Sequence, residues 1–166
     1  MRRIIIAVAL VALALLSVWA QPLRGQGQNQ GTPPANSGHV TAAELAALVA
    51  KQPKDSNGNL TFLQLAPYDV SMEHRVNVPQ NASVHDKEAE LFYVIDGGGT
   101  LVTGGKLVNP TRNGDNLTAS KVDGGTARRL SKGDFVLVPE GVPHWFSTID
   151  GELTLMSLHL PRAAAR

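Results

Sequence analysis

The chain has 166 residues, 43% of them hydrophobic and 17% charged, with 15 basic and 14 acidic side chains. That length suits one ordinary globular domain and is too short for two. Cysteine is absent, so neither a disulfide framework nor a lipid-modified cysteine is expected, and stability has to come from packing.

Met1-Arg2-Arg3 precedes 17 uncharged residues, IIIAVALVALALLSVWA. This is the layout of a secretory signal peptide, with Val18 and Ala20 as the small residues ahead of a cleavage site. The expectation is a leader over residues 1–20, cut after Ala20. The mature protein would then be secreted or periplasmic, with no stable membrane span after processing. An uncleaved anchor is the competing reading, and 17 residues is the lower limit for crossing a bilayer. Without Arg2 and Arg3 the chain keeps 13 basic against 14 acidic residues, a formal charge of −1. With no basic run either, nucleic acid is not an expected partner.

Residues 21–38 follow as a flexible linker. Their Gln, Gly, Asn and Pro composition, with Leu23 as the one large aliphatic residue, cannot bury enough surface to offset ordering entropy. Residues 39–166 are read as a single domain. It starts with a helix from about Ala42 to Lys51. Thr41 is its N-cap, Glu44 completes a capping box, Val40 and Leu45 are placed as a hydrophobic staple, and Pro53 lies beyond its end.

From Asn59 onward, short β-prone runs alternate with Gly, Asn, Asp and Pro: LTFLQLA, YDVSMEHRVNV, ELFYVID, GTLVTG, ARRL, DFVLVP, HWFSTI and ELTLMSLHL. Eight runs at this spacing predict an all-β sandwich or barrel. The intervening NPTRNGDNLTASKVDGG is too polar for a core and reads as a surface excursion. Gly97 to Gly99, Gly104-Gly105 and Gly124-Gly125 read as hairpin or bulge glycines. HWFSTI and ELTLMSLHL read as a hairpin about a two-residue Asp150-Gly151 turn of type I′. In that register His144 faces Ser157, and His159 lies diagonally on the same side.

The five histidines are His39, His74, His85, His144 and His159. His144 ends a distinctive segment, Gly133-x5-Pro139-x-Gly141-x2-His144-x3-Thr148. This segment resembles the second motif of the cupins, G-x5-P-x-G-x2-H-x3-N, and departs from it only at Thr148. Upstream, SVHDKEAELFYVIDGGG resembles the first cupin motif, in which an H-x-H pair precedes a glutamate that stands seven residues before a glycine. Glu90 and Gly97 reproduce that interval, but His85 is the only histidine present. Either Ser83 replaces the first histidine of the pair or Lys87 replaces the second, and an inward Lys87 would oppose a cation.

The resemblance covers roughly Leu60 to Leu160. It implies an all-β, cupin-type conical β-barrel or jelly roll with a short N-terminal helix, holding a divalent metal inside. The metal ligands it implies are His85, Glu90 and His144, and the ion would be Fe, Mn or Zn. Two neutral imidazoles and one carboxylate make a facial triad that leaves coordination positions open. His74 shares the more apolar strand face with Val70, Met72 and Val76. A lone histidine on such a face is ordinarily a hydrogen-bonded core residue, yet His74 and His159 are both candidates for a further ligand. The expected partner is a small molecule, with a homodimer as a possible assembly. Two functions compete: a metal-dependent oxygenase or isomerase, and a non-catalytic small-ligand-binding module with a degenerate metal site.

Overall fold

Thr41 starts helix α1 (Ala42–Ala50) in the way its letters predict. Its hydroxyl accepts from the Glu44 amide, and the Glu44 carboxylate accepts from the Thr41 amide at 2.8 Å. The helix closes on Lys51 as C-cap, one residue sooner than expected. Leu45, Leu48 and Val49 are half-buried and no helical residue is fully buried, so capping carries much of the helix's definition. Thr41→Ala is expected to cost about 1 kcal/mol, read as a lower urea midpoint at unchanged slope. The computed structural model describes residues 38–162; the leader and linker readings for residues 1–37 lie outside the described residues.

Eleven strands follow. They are β1 (Gly58–Leu65), β2 (Tyr68–Val76), β3 (Ala82–His85), β4 (Glu88–Thr103), β5 (Lys106–Leu107), β6 (Thr111–Asn113), β7 (Asn116–Ala119), β8 (Val122–Asp123), β9 (Thr126–Ser131), β10 (Phe135–Val138) and β11 (His144–Pro161). Among the described residues the fold is all-β with one short helix. Its frame is the antiparallel pairing of the two long strands, β4 and β11, along their whole length. The second half of β11 and the first half of β4 are flanked by β2, β1 and β10. The other halves are flanked by β3, β7, β6 and β9.

The pairing corrects two expectations. Asp150-Gly151 is not a hairpin turn: β11 continues through it with register breaks between Ile149 and Leu153, and HWFSTI and ELTLMSLHL both pair with β4 rather than with each other. The glycine run opposite supplies the reason. A Cβ on Gly97 would lie 2.0 Å from the Glu152 carbonyl oxygen, and one on Gly99 would lie 2.6 Å from that of Thr148. Side chains there would hold the bulged backbone of β11 away, so glycine permits the bulge to pass. The polar excursion is also more than surface loop. It contains β6, β7 and β8, and β7 pairs with β3 from Ala82↔Ala119 to His85↔Asn116.

Period-two alternation sends Glu90, Phe92 and Val94 of β4 to one face, opposite His159, Ser157 and Leu155 of β11. Phe92, Val94, Leu101, Phe146, Leu153 and Leu155 form the heart of the core on this face. Phe92 and Phe146 meet edge-on at 5.5 Å, a favoured aromatic geometry. At the end of this apolar interior the chain places its imidazoles.

Candidate metal centre

His144 arrives by a turn that is tied to the strand carrying His85. After β10, Pro139 and Gly141 make a tight bend in which Gly141 adopts φ of +71°, a conformation glycine takes without steric cost. The Gly141 amide donates to the His85 carbonyl at 2.8 Å. The bend therefore fixes the start of β11 against the end of β3, and His144 pairs with Ser83 of β3 and Thr103 of β4. The sequence spacing thus has a mechanical result: two histidines 59 positions apart are held by one backbone hydrogen bond near their root.

Both rings face Glu90. His144 Nε2 lies 3.1 Å and His85 Nε2 3.3 Å from Glu90 Oε2. A third ring also reaches this carboxylate, His159 Nε2 at 3.4 Å from Oε1. Ser157 Oγ donates to the same oxygen at 3.2 Å. One ligand atom from each of His85, Glu90 and His144 lies within 4.8 Å of the others, and His85, Glu88 and His159 form a second such group. Glu90 is 3% exposed and His144 5%, so these two are withdrawn from water, while His85 and His159 lie on the side of the group nearer solvent.

The outer nitrogens decide which atoms face inward. His85 Nδ1 donates to Asn116 Oδ1 at 2.9 Å, and His144 Nδ1 donates to the Val142 carbonyl at 3.3 Å. With Nδ1 protonated, each neutral ring presents its Nε2 lone pair to a carboxylate that is itself all lone pairs. Two arrangements relieve that repulsion: protonation of the rings, or a cation among them.

Burial pushes the Glu90 carboxyl up, but hydrogen bonds from His144 and His85, with the charges of His144 and His159, outweigh it and hold the group far below the usual carboxylate range. Burial pulls His85 down, and the hydrogen bonds to Glu90 and Asn116 with the charges of Glu90 and Glu88 reverse this to a net rise. Full protonation would surround one buried carboxylate with three imidazolium ions. Uncompensated buried charge costs several kcal/mol per ion, so the arrangements that keep the cluster near neutral are one imidazolium paired with Glu90 or a cation held by neutral rings. The donor set fits a first-row metal: imidazole and carboxylate, with outer nitrogens already anchored.

The remaining sequence candidates fall into place around this centre. Lys87 points outward, is 67% exposed and pairs with Asp115 at 3.0 Å, so it does not oppose a cation. Ser83 lies two residues before His85 on the same face of β3, so of the two positions open to the absent histidine it is the one beside the group. His74 is not part of the group. It pairs with Thr154 across the sheet, on the face opposite Glu90, and contacts Thr154 Oγ1 at 3.3 Å while Nε2 has no partner among the described residues. Thr148, where the motif has asparagine, is exposed. Asn116 and Glu88 were not singled out as site residues by sequence; the strand pairing His85↔Asn116 brings in the first, and the approach of His159 to Glu88 the second.

Comparison with solved structures gives the fold an independent footing. The cupin domain of Schizosaccharomyces pombe Cnp3 is similar with a TM-score of 0.50 at 10% identity, covering 69% of this chain and 71% of that one. A cupin superfamily protein from Desulfitobacterium hafniense (TM-score 0.48, 13% identity, 70% and 87% covered) and KdgF from Halomonas sp. (0.49, 14%, 68% and 86%) are similar too. No protein-family model and no curated protein matches the sequence.

Proposed function

Since the chain has the cupin fold, we propose that it is an exported cupin that holds a divalent first-row metal through His85, Glu90 and His144 and binds a small molecule at that ion. The observation that carries the reading is the convergence of two Nε2 atoms on one buried carboxylate oxygen, at 3.1 and 3.3 Å, with both Nδ1 atoms engaged elsewhere. When bound, the ion supplies Lewis acidity and open positions for a chelating oxygen ligand. Asn116 and the Val142 carbonyl hold the two rings in the metal-ready tautomer. Phe92, whose ring lies 6.1 Å from that of His144, gives the centre an apolar floor that limits water. Export rests on the leader pattern of residues 1–20, and N-terminal sequencing of the protein from the extracellular or periplasmic fraction tests it, with Gln21 as the expected first residue.

The test of the centre is metal analysis of protein purified without chelators, together with thermal melts in chelator and in Fe(II), Mn(II) or Zn(II). A stoichiometric ion is expected, and at a hundredfold excess over Kd it adds about 2.7 kcal/mol to folded-state stability. His144→Ala should lose most of that gain. Identical melts with chelator and with every metal would instead assign the histidines to hydrogen bonding of an organic ligand, the non-catalytic module.

A further inference from the structure

Resting on the metal reading above, we propose that His159 is a fourth protein ligand, taking on β11 the role that Ser83 leaves empty on β3. His159 sits directly across from Glu90 in the β4–β11 ladder, and its Nε2 is 3.4 Å from Glu90 Oε1. For ligand atoms about 2.1 Å from an ion, neighbouring donors stand about 3.0 Å apart in an octahedral site and about 3.4 Å in a tetrahedral one. His144 and His85 stand 3.1 and 3.3 Å from Glu90 Oε2, and His159 stands 3.4 Å from Oε1, so each separation is near that spacing while His159, outside the compact His85–Glu90–His144 group, has to turn toward it to share the ion. The His159 ring also meets that of His85 edge-on at 4.7 Å. The three rings therefore surround a single carboxylate.

A separate second ion at His85, Glu88 and His159 is the competing arrangement. It needs a His85 nitrogen of its own, and there is none to give: Nε2 faces Glu90 and Nδ1 donates to Asn116. One nitrogen lone pair serves one metal. Glu88 is instead placed to orient His159, with Oε2 3.0 Å from Nδ1. That approach is close but out of line, since Nδ1 makes no hydrogen bond to any described residue. Turning the ring toward an ion thus breaks no existing bond, and it lets Glu88 accept the Nδ1 proton in line. The side chain is 34% exposed, so its neighbours do not lock it.

The experiment titrates Co(II) and Zn(II) against a competing chelator into the full chain, following both affinity and the Co(II) visible spectrum. The proteins are wild type, His159→Ala, His159→Asn, the exposed control His39→Ala, and the double variant Ser83→His with His159→Ala. Expected is a loss of affinity of about 100-fold or more in both His159 variants, at or beyond the 10–100-fold typical of an outer-sphere partner. A changed Co(II) spectrum, restoration of affinity in the double variant and no effect of His39→Ala complete the expected result. If wild type binds neither metal, the centre itself fails and this inference with it. If wild type binds and the His159 variants match it in affinity and spectrum, the inference alone is overturned. A weaker Kd with unchanged spectrum and no rescue by Ser83→His also overturns it, leaving His159 as an outer partner.

Discussion

Glu90→Gln should abolish the metal-dependent gain in stability while leaving a folded protein above neutral pH. Glutamine keeps the volume and the oxygen but removes the charge, and a neutral amide does not offset the desolvation of a divalent ion. The gain of about 2.7 kcal/mol expected of wild type at a hundredfold excess of metal over Kd should therefore fall to near zero. In the metal-free variant, the amide nitrogen can donate to a neutral imidazole, so the buried site is satisfied without protonated rings. Acid is another matter. Each imidazolium formed in the variant lacks its counter-charge, its folded-state pKa falls below the ordinary value, and stability is lost as pH drops through the ordinary histidine range. Urea melts of wild type and variant at pH 8 and pH 5.5, with Zn(II) or chelator, measure both effects. Equal Zn(II) gains in the two proteins would place the metal away from Glu90.

The motif spacing carried the fold, and the departures from it carried the ambiguity. Gly133, Pro139, Gly141 and His144 were readable because each is fixed by local geometry: a turn, a rigid bend, and a ring delivered at the start of a strand. The capping box at Thr41 was readable for the same reason, its two hydrogen bonds spanning three residues. Pairing between distant strands was not. Asp150-Gly151 has the letters of a type I′ turn, and nothing local says that Gly97 to Gly99, some 50 positions earlier, accept β11 as it bulges past. The hairpin reading put His144 across from Ser157, whereas Ser157 pairs with Phe92 and His144 with Thr103 and Ser83. His159 still turned inward, because the period of two along its own strand survives a wrong partner. Asn116 stayed invisible as a site residue, since its role depends on β7 joining the sheet at β3. Lys87 could have faced either way in the letters; Asp115, brought alongside at 3.0 Å, gives it an outward partner.

The second large effect is a reversal of pH dependence on adding metal. In the metal-free protein, His85 is raised above its ordinary 6.5 and Glu90 is held below its ordinary 4.5. A raised histidine contributes stability fully below 6.5 and loses it as pH climbs through the folded-state value; a lowered carboxyl contributes above 4.5 and loses it only in strong acid. The pair thus favours the metal-free fold most between 4.5 and 6.5 and less in mild alkali. Metal binding runs the other way, because a ligating imidazole must first give up its Nε2 proton. Below the folded-state pKa, affinity should rise about tenfold per pH unit for His85 alone, and more steeply with each further ring that is protonated without metal. Melting curves taken every half unit from pH 5.5 to 8.5 should show the metal-free midpoint declining above pH 6.5 while the Zn(II)-induced shift grows from near zero. Isothermal titration in buffers of different ionisation enthalpy should detect proton release on binding, falling as pH rises. A Zn(II) shift of the same size at pH 5.5 and pH 8, with no protons released, would mean that the ion is not held by imidazoles, and the three rings around Glu90 would then be a buried hydrogen-bonded cluster.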